Sequence, residues 1–202
     1  MFKADIKDFY MRGDVFQMSD LIFEDAPQKC RQDMKRLLEH LMTNQYVRTR
    51  FMQSTWKVMQ GSGMGLRHSG ECADSFFYAL CERPLLLNPA FTQQHNIELY
   101  IRFRDDMLIV GPRGLAAYAR LHGAMSHKVR GTHQIDTEGY GYSEIDMLDL
   151  TLYKGKSFAR NGRLQFKPRV RATSQKVPSH TIVLTLPLCC PVGQLLKLGV
   201  YA

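Results

Sequence analysis

Acid is missing from the last quarter of the chain. No aspartate or glutamate falls between Leu150 and Ala202, whereas nine lysines and arginines do, for +9. Residues 1–149 hold 18 basic and 19 acidic side chains, so the net charge of +8 belongs to one end. That end fits a polyanionic partner or a plain solvated basic face. Cysteine pairing is missing too. Cys30, Cys72, Cys81, Cys189 and Cys190 are odd in number and form no C-x-x-C, which argues against a disulfide framework and against zinc. His122 and His127 are poorly spaced to share a metal on a helix. No charge-free apolar run opens the chain, so no signal peptide is expected. The least charged stretch, Thr181–Leu196, is broken by Pro187, Pro191 and Gly193 and falls short of the ~20 apolar residues of a membrane span. Reduced thiols and no membrane partner give an intracellular expectation, nuclear or cytoplasmic. There is no internal repeat, no low-complexity tract and no signal of oligomeric state.

What is present reads as alternating strands and helices. Phe2, Ala4 and Ile6 alternate with Lys3, Asp5 and Lys7, which predicts a half-buried strand over Phe2–Lys7. Asp25 and Pro27 mark a helix start, followed by a stripe of Cys30, Met34, Leu37, Leu38, Leu41 and Met42. Thr55–Met59 predicts a short strand running into Gly61, Gly63 and Gly65. Ser69 is a suitable N-cap for a second helix, with Cys72, Ala73, Phe76, Phe77 and Leu80 on its buried face and Pro84 and Pro89 bracketing its end. Residues 97–110 predict a hairpin: Ile101 and Phe103 alternate with Arg102 and Arg104, and Met107–Val110 is the apolar return strand. A third helix is expected from Gly114 to about Val129. Leu148, Leu150 and Leu152 mark a strand, and Asn161-Gly162 predicts a type I′ hairpin turn. The order predicts an α+β fold, an antiparallel sheet with helices on one face.

Three groups of residues suggest chemistry. Asp105-Asp106 places adjacent carboxylates at a hairpin tip, a repulsion that a divalent cation relieves; an ordinary turn is the plain alternative. Asp5 lies on another strand, where it completes a three-carboxylate cluster if the strands are neighbours, or is merely a solvent-facing Asp between lysines. The run from Gln60 to Gly65 allows close backbone approach to a ligand, but no G-x-x-x-x-G-K-[ST] phosphate loop follows, since Arg67 and His68 stand there.

In order along the chain, these segments resemble the motifs of reverse transcriptases. Ala4-Asp5-Ile6-Lys7-Asp8-Phe9-Tyr10 resembles their first catalytic motif, Gln60-Gly61 through Ser69 to Glu82 their second, and Phe103-Arg104-Asp105-Asp106 their third. Leu148–Lys154 is similar to a strand that follows in many retroelement enzymes. The likeness covers residues 1–176. It implies a polymerase palm with a ferredoxin-like core and catalytic carboxylates at Asp5, Asp105 and Asp106. It implies metal ligation by Asp5, Ile6, Asp105 and Asp106 and two magnesium ions, with manganese an alternative. It also implies nucleotide contacts from Tyr10, Gln60 and Gly61, with Tyr10 guarding against a ribose 2′-hydroxyl. The partners implied are an RNA or DNA template with primer and deoxynucleoside triphosphates.

In that frame residues 1–153 are the catalytic domain, 154–180 a basic junction toward a thumb, and 181–202 an apolar tail. Lys154, Lys156, Lys167, Arg169 and Arg171 become candidate contacts to nucleic-acid phosphates, while Tyr153 and Phe166 are expected in the core. The lysine that assists the leaving pyrophosphate is Lys128 or Lys154. Phe103 stands where the family has tyrosine, and Gly65–Ser69 where a shorter turn is common. Only four residues precede Asp5, so the expectation is a palm lacking most of the fingers and the thumb. The alternative is an inactive retroelement remnant that only binds nucleic acid.

Overall fold

The computed structural model describes residues 1–169 apart from Met11, Thr49, Arg50, Met52, Gln53, Met64, Gly65, Pro112 and Ser157. Arg171, the apolar tail, Cys189 and Cys190 lie outside the described residues, as does Gly65 of the glycine loop. In chain order the elements are β1 (Phe2–Lys7), α1 (Val15–Ile22), α2 (Gln28–Thr43), β2 (Tyr46–Arg48), β3 (Thr55–Lys57), α3 (Ser69–Phe77), a π-helix (Tyr78–Leu86), α4 (Pro89–Gln94), β4 (Leu99–Phe103), β5 (Asp106–Val110), α5 (Leu115–Lys128), β6 (Gln134–Tyr140), β7 (Glu144–Met147), β8 (Leu150–Tyr153), α6 (Phe158–Asn161) and β9 (Gln165–Pro168). The strands form sheets of order β4-β5-β1-β6, β2-β3 and β7-β8-β9. The class is α+β with antiparallel pairing, spread over these three sheets rather than the one expected. Two compact units divide the chain. The first gathers Met1–Asp5, Pro89–His122 and the described residues from Asp136 onward; the second gathers Ile6–Asn88 and Gly123–Ile135.

In the first unit, β5 is the central strand. It pairs antiparallel with β4 (Ile101↔Leu108, Phe103↔Asp106) and with β1 (Lys3↔Leu108, Asp5↔Asp106). Residues opposite one another across a ladder point to the same side, which gives this sheet two unlike faces. Leu108 and Val110 join Ile145, Met147, Leu152 and Leu164 in one core, with Leu99, Ile101, Phe158 and Phe166 packed against it. Phe166, expected in the core, is half-buried at its edge. On the opposite face Phe2 packs on Tyr118 of α5, ring centroids 5.1 Å apart. Met107, Leu108 and Ile109 are wholly buried. At ~1.5–3 kcal/mol for each such side chain, this strand is a rigid support for what its end carries. Its far end needs a glycine. Gly111 has φ +133°, and a Cβ there would lie 2.0 Å from the Asn96 carbonyl oxygen.

Two expectations fail in this unit. Leu148 is not in a strand: it opens the Leu148-Asp149 turn between β7 and β8 with φ 56°. Asn161-Gly162 is not a type I′ turn. Asn161 ends the one-turn α6, and Gly162 at φ 65° donates its N–H to the Phe158 carbonyl at 2.8 Å, the left-handed cap of a helix. β8 and β9 still pair, Leu152 opposite Phe166, across this longer connection.

In the second unit, α1 was not anticipated. Asp14 caps it, its Oδ1 accepting from the Phe16 and Gln17 N–H groups at 3.0 Å each. α2 begins just after Pro27, as the sequence suggested, but its stripe is only partly covered: Leu38 and Met42 are buried, whereas Met34, Leu37 and Leu41 are exposed. α3 buries Cys72, Ala73, Phe76 and Phe77 as expected. Phe9, Phe76 and Phe77 surround the His133 ring at centroid distances of 6.4, 5.6 and 5.6 Å. Ser69 is not the N-cap: it is the first helical residue, after His68. The helical run ends at Leu86, between Pro84 and Pro89 as expected, but not as a plain α-helix. The chain widens into the π-helix and carries Pro84 inside it, with Leu87 N–H donating to the Glu82 carbonyl at 2.8 Å. Among the described residues Cys30, Cys72 and Cys81 form no disulfide, and no helix is long and apolar enough to cross a membrane.

Candidate functional site

The β1–β5 register sets Asp5 directly opposite Asp106, so both carboxylates leave the sheet on one face. Lys3, two residues earlier on β1, leaves on that face too. Asp105 occupies the adjoining turn. Phe103 pairs with Asp106, which makes Arg104-Asp105 the connection of a tight hairpin. Arg104 has φ 57°, a conformation that side chains adopt at a cost of order 1–2 kcal/mol. The Arg102 guanidinium donates from Nη1 to the Arg104 carbonyl at 2.8 Å and steadies the bend.

β6 adds two acids that the sequence reading missed. Asp136 and Glu138 alternate along Gln134–Tyr140, a spacing that places both on one strand face once the strand is recognised. Lys3 Nζ lies 3.0 Å from Asp106 Oδ1 and 2.6 Å from Glu138 Oε2. Burial pulls the Lys3 ammonium down, but hydrogen bonds to Glu138 and Asp106 outweigh it and leave it above its ordinary value. The Asp5 carboxyl is raised, by burial first and then by the charges of Asp105, Glu138, Asp106 and Asp136. This is the electrostatic tension expected of clustered carboxylates.

These oxygens suit a hard divalent cation in kind. Their arrangement does not yet gather around one: among the described residues no three carboxylate, imidazole or thiol groups converge as a metal set. Asp106 is turned to Lys3 instead. Ile6 points its side chain away from the Asp5 face into burial, so only its backbone is available as a ligand.

Tyr10, Gln60 and Gly61 belong to the second unit. The Ser62 N–H donates to the Tyr10 carbonyl at 2.7 Å, which ties the Gln60-Gly61 turn to the segment after β1. Gly61 has φ 68°, the freedom its position requires, and Gln60 is exposed. Tyr10 meets Phe9 edge-on at 5.3 Å. The loop rests on a buried polar network that was not singled out in the sequence. Gln45 Oε1 accepts from Ser62 Oγ and from the Gly63 N–H, each at 3.2 Å, and Gln45 Nε2 donates to the Met42 carbonyl at 3.1 Å. Ser69 Oγ donates to the Gly63 carbonyl at 2.6 Å and lies 2.5 Å from Ser62 Oγ. Ser69, read as a helix cap, is therefore a loop anchor.

The basic residues of the first unit are not an unopposed stripe. Lys167 is 3.7 Å from Glu144, and Arg169 Nε is 3.2 Å from Asp146, acids supplied by β7 from earlier in the chain. Lys167 Nζ also lies over the Tyr153 ring at 5.5 Å, and Lys154 Nζ over Phe158 at 5.1 Å. Lys154 and Lys156 are exposed, as is Lys128 at the end of α5. An open concavity of ≈ 490 Å³ is lined by Lys3, Glu138, Gly139, Ile145, Asp146 and Arg169. No protein-family model matches the chain, and no curated protein matches it at a significant level.

Proposed function

We propose that this chain is the palm, with a ferredoxin-like core, of an RNA-directed DNA polymerase of a retroelement. The reaction is nucleotidyl transfer of deoxynucleotides to a primer 3′-hydroxyl. One observation carries the reading: Asp5 stands opposite Asp106 on adjacent strands, with Asp105 in the adjoining turn. Asp5, Asp105 and Asp106, with the Ile6 backbone, would hold magnesium or manganese. Bound there, two such ions would supply Lewis acidity to the attacking hydroxyl and offset charge on the leaving pyrophosphate. The apolar strands behind the carboxylates fix their spacing, and positioning is the larger part of this chemistry. Tyr10 excludes a ribose 2′-hydroxyl, and Gln60 and Gly61 contact the incoming nucleotide and template. Lys154 or Lys128 assists the departing pyrophosphate. Lys154, Lys156, Lys167, Arg169 and Arg171 contact the phosphates of a primer on an RNA or DNA template.

The test is primer extension on an RNA template with deoxynucleotides and magnesium. The wild-type chain extends the primer and Asp105→Asn does not; extension that survives the substitution refutes the mechanism. Tyr10→Ala is expected to admit ribonucleotides. A second reading, a remnant that only binds nucleic acid, is favoured by the engagement of Asp106 with Lys3. It predicts binding that weakens steeply with salt, without incorporation.

A further inference from the structure

Lys3 is held on two sides. Its ammonium bridges Asp106 of β5 and Glu138 of β6, at 3.0 and 2.6 Å, from the same sheet face as Asp5. Its side chain is largely covered, and so is that of Asp106, whereas Glu138 is the more open partner. Lys3 thus gives Asp106 the positive charge that a divalent cation would give it, and it has a second carboxylate to fall back on. We infer that Lys3 is a built-in counter-ion that latches Asp106, and that a divalent cation enters by displacing the ammonium from Asp106 onto Glu138. Glu138 then acts as the resting place of the lysine, not as a metal ligand. This rests on the reading of Asp5, Asp105 and Asp106 as metal ligands, and adds a competitor that sets how readily the metal enters. Lys3 and Glu138 are positioning residues in this scheme.

Several consequences separate the latch from a merely structural ion pair. With Lys3 gone, four acids, Asp5, Asp106, Asp136 and Glu138, face one another without it, so the chain loses stability in chelator and regains it in divalent metal. With Glu138 gone, the lysine has only Asp106 among the described residues, and the metal must compete harder. The experiment titrates Mn²⁺ into the full chain, following free Mn²⁺ by electron paramagnetic resonance, and measures thermal unfolding with chelator and with Mg²⁺. Lys3→Met is expected to bind Mn²⁺ about twofold to fivefold more tightly than wild type, the scale of one ion pair. Glu138→Gln is expected to bind more weakly, Lys3→Arg to resemble wild type, and Asp106→Asn to lose binding. Should Lys3→Met bind no more tightly while Asp106→Asn still abolishes binding, the latch is wrong and the metal reading stands. The Glu138→Gln titration makes the same decision if Lys3→Met does not fold. Should Mn²⁺ binding be absent from wild type, or indifferent to Asp106→Asn, the metal reading falls and takes the latch with it.

Discussion

Replacing Gln45 with alanine tests whether the Gln60-Gly61 loop is held by buried hydrogen bonds. Gln45 is 5% exposed, and its amide serves three backbone groups and one hydroxyl. Without it the Ser62 hydroxyl keeps Ser69, at 2.5 Å. The Met42 carbonyl and the Gly63 N–H lose a partner, and the 3.5 Å contact to the Gly61 carbonyl goes as well. A buried polar group left unpaired costs about 1–3 kcal/mol. Two such groups, one of them partly open to water, give a loss of about 2–4 kcal/mol. For a chain of this size that lowers the thermal midpoint by roughly 4–16 °C. Calorimetry or far-ultraviolet circular dichroism would measure it. Gln45→Glu should lose comparable stability at neutral pH, because a carboxylate cannot donate to the Met42 carbonyl. A loss below about 1 kcal/mol for Gln45→Ala would mean that water replaces the amide and that the loop is not anchored there.

Other perturbations probe the rest of the chain. Leu108→Ala removes a wholly buried side chain from the central strand and is expected to cost about 2–5 kcal/mol in chemical denaturation, whereas Lys167→Ala and Arg169→Ala, each breaking an exposed ion pair, should each cost under about 1 kcal/mol. Burial, then the charges of Tyr140, Glu98 and Tyr142, raises the Tyr118 phenol from 10.0 to about 12. A raised folded value gives stability that is present below pH 10 and lost as pH climbs through about 12. Tyr118→Phe should therefore flatten the alkaline limb of a stability–pH curve, with little loss at neutral pH because the buried hydroxyl has no hydrogen-bond partner among the described residues. An unchanged alkaline limb would remove Tyr118 from that account.

The sequence was most legible where side-chain alternation and burial coincide. β1 runs over Phe2–Lys7 as expected, because each apolar residue has a covered position and each charged one a more open position. The β4–β5 hairpin is equally plain, since an apolar strand returns after a short polar turn. β6 was not legible: its Gln134–Tyr140 run carries two acids and a glycine and only one fully buried residue, Ile135, so no apolar alternation marks it, and the pairing of Glu138 with Lys3 comes from another strand. Asn161-Gly162 was misread because the same dipeptide that favours a type I′ turn also ends a helix, and the backbone around Phe158 chooses between them. The pairing of Lys167 and Arg169 with Glu144 and Asp146 was hidden for another reason. Charge totals by segment do not see across a sheet, and β9 lies beside β8, which in turn lies beside β7. Of the candidate site, the Asp5–Asp106 juxtaposition needed the register, which no local pattern supplies.

The bend that holds Asp105 has a twin. Arg104-Asp105 joins β4 to β5 and Leu148-Asp149 joins β7 to β8, each with a left-handed residue, φ 57° and 56°, ahead of an aspartate. Glycine at either first position should relax the backbone by a similar amount. The pair therefore forms an internal calibration. What Leu148→Gly does to folding reports the conformational release plus a lost leucine side chain, and the same exchange at Arg104 reports release plus whatever the stiff bend does for its carboxylate. The molecule thus carries, a few strands away, its own reference bend against which the rigidity of the Asp105 corner can be weighed.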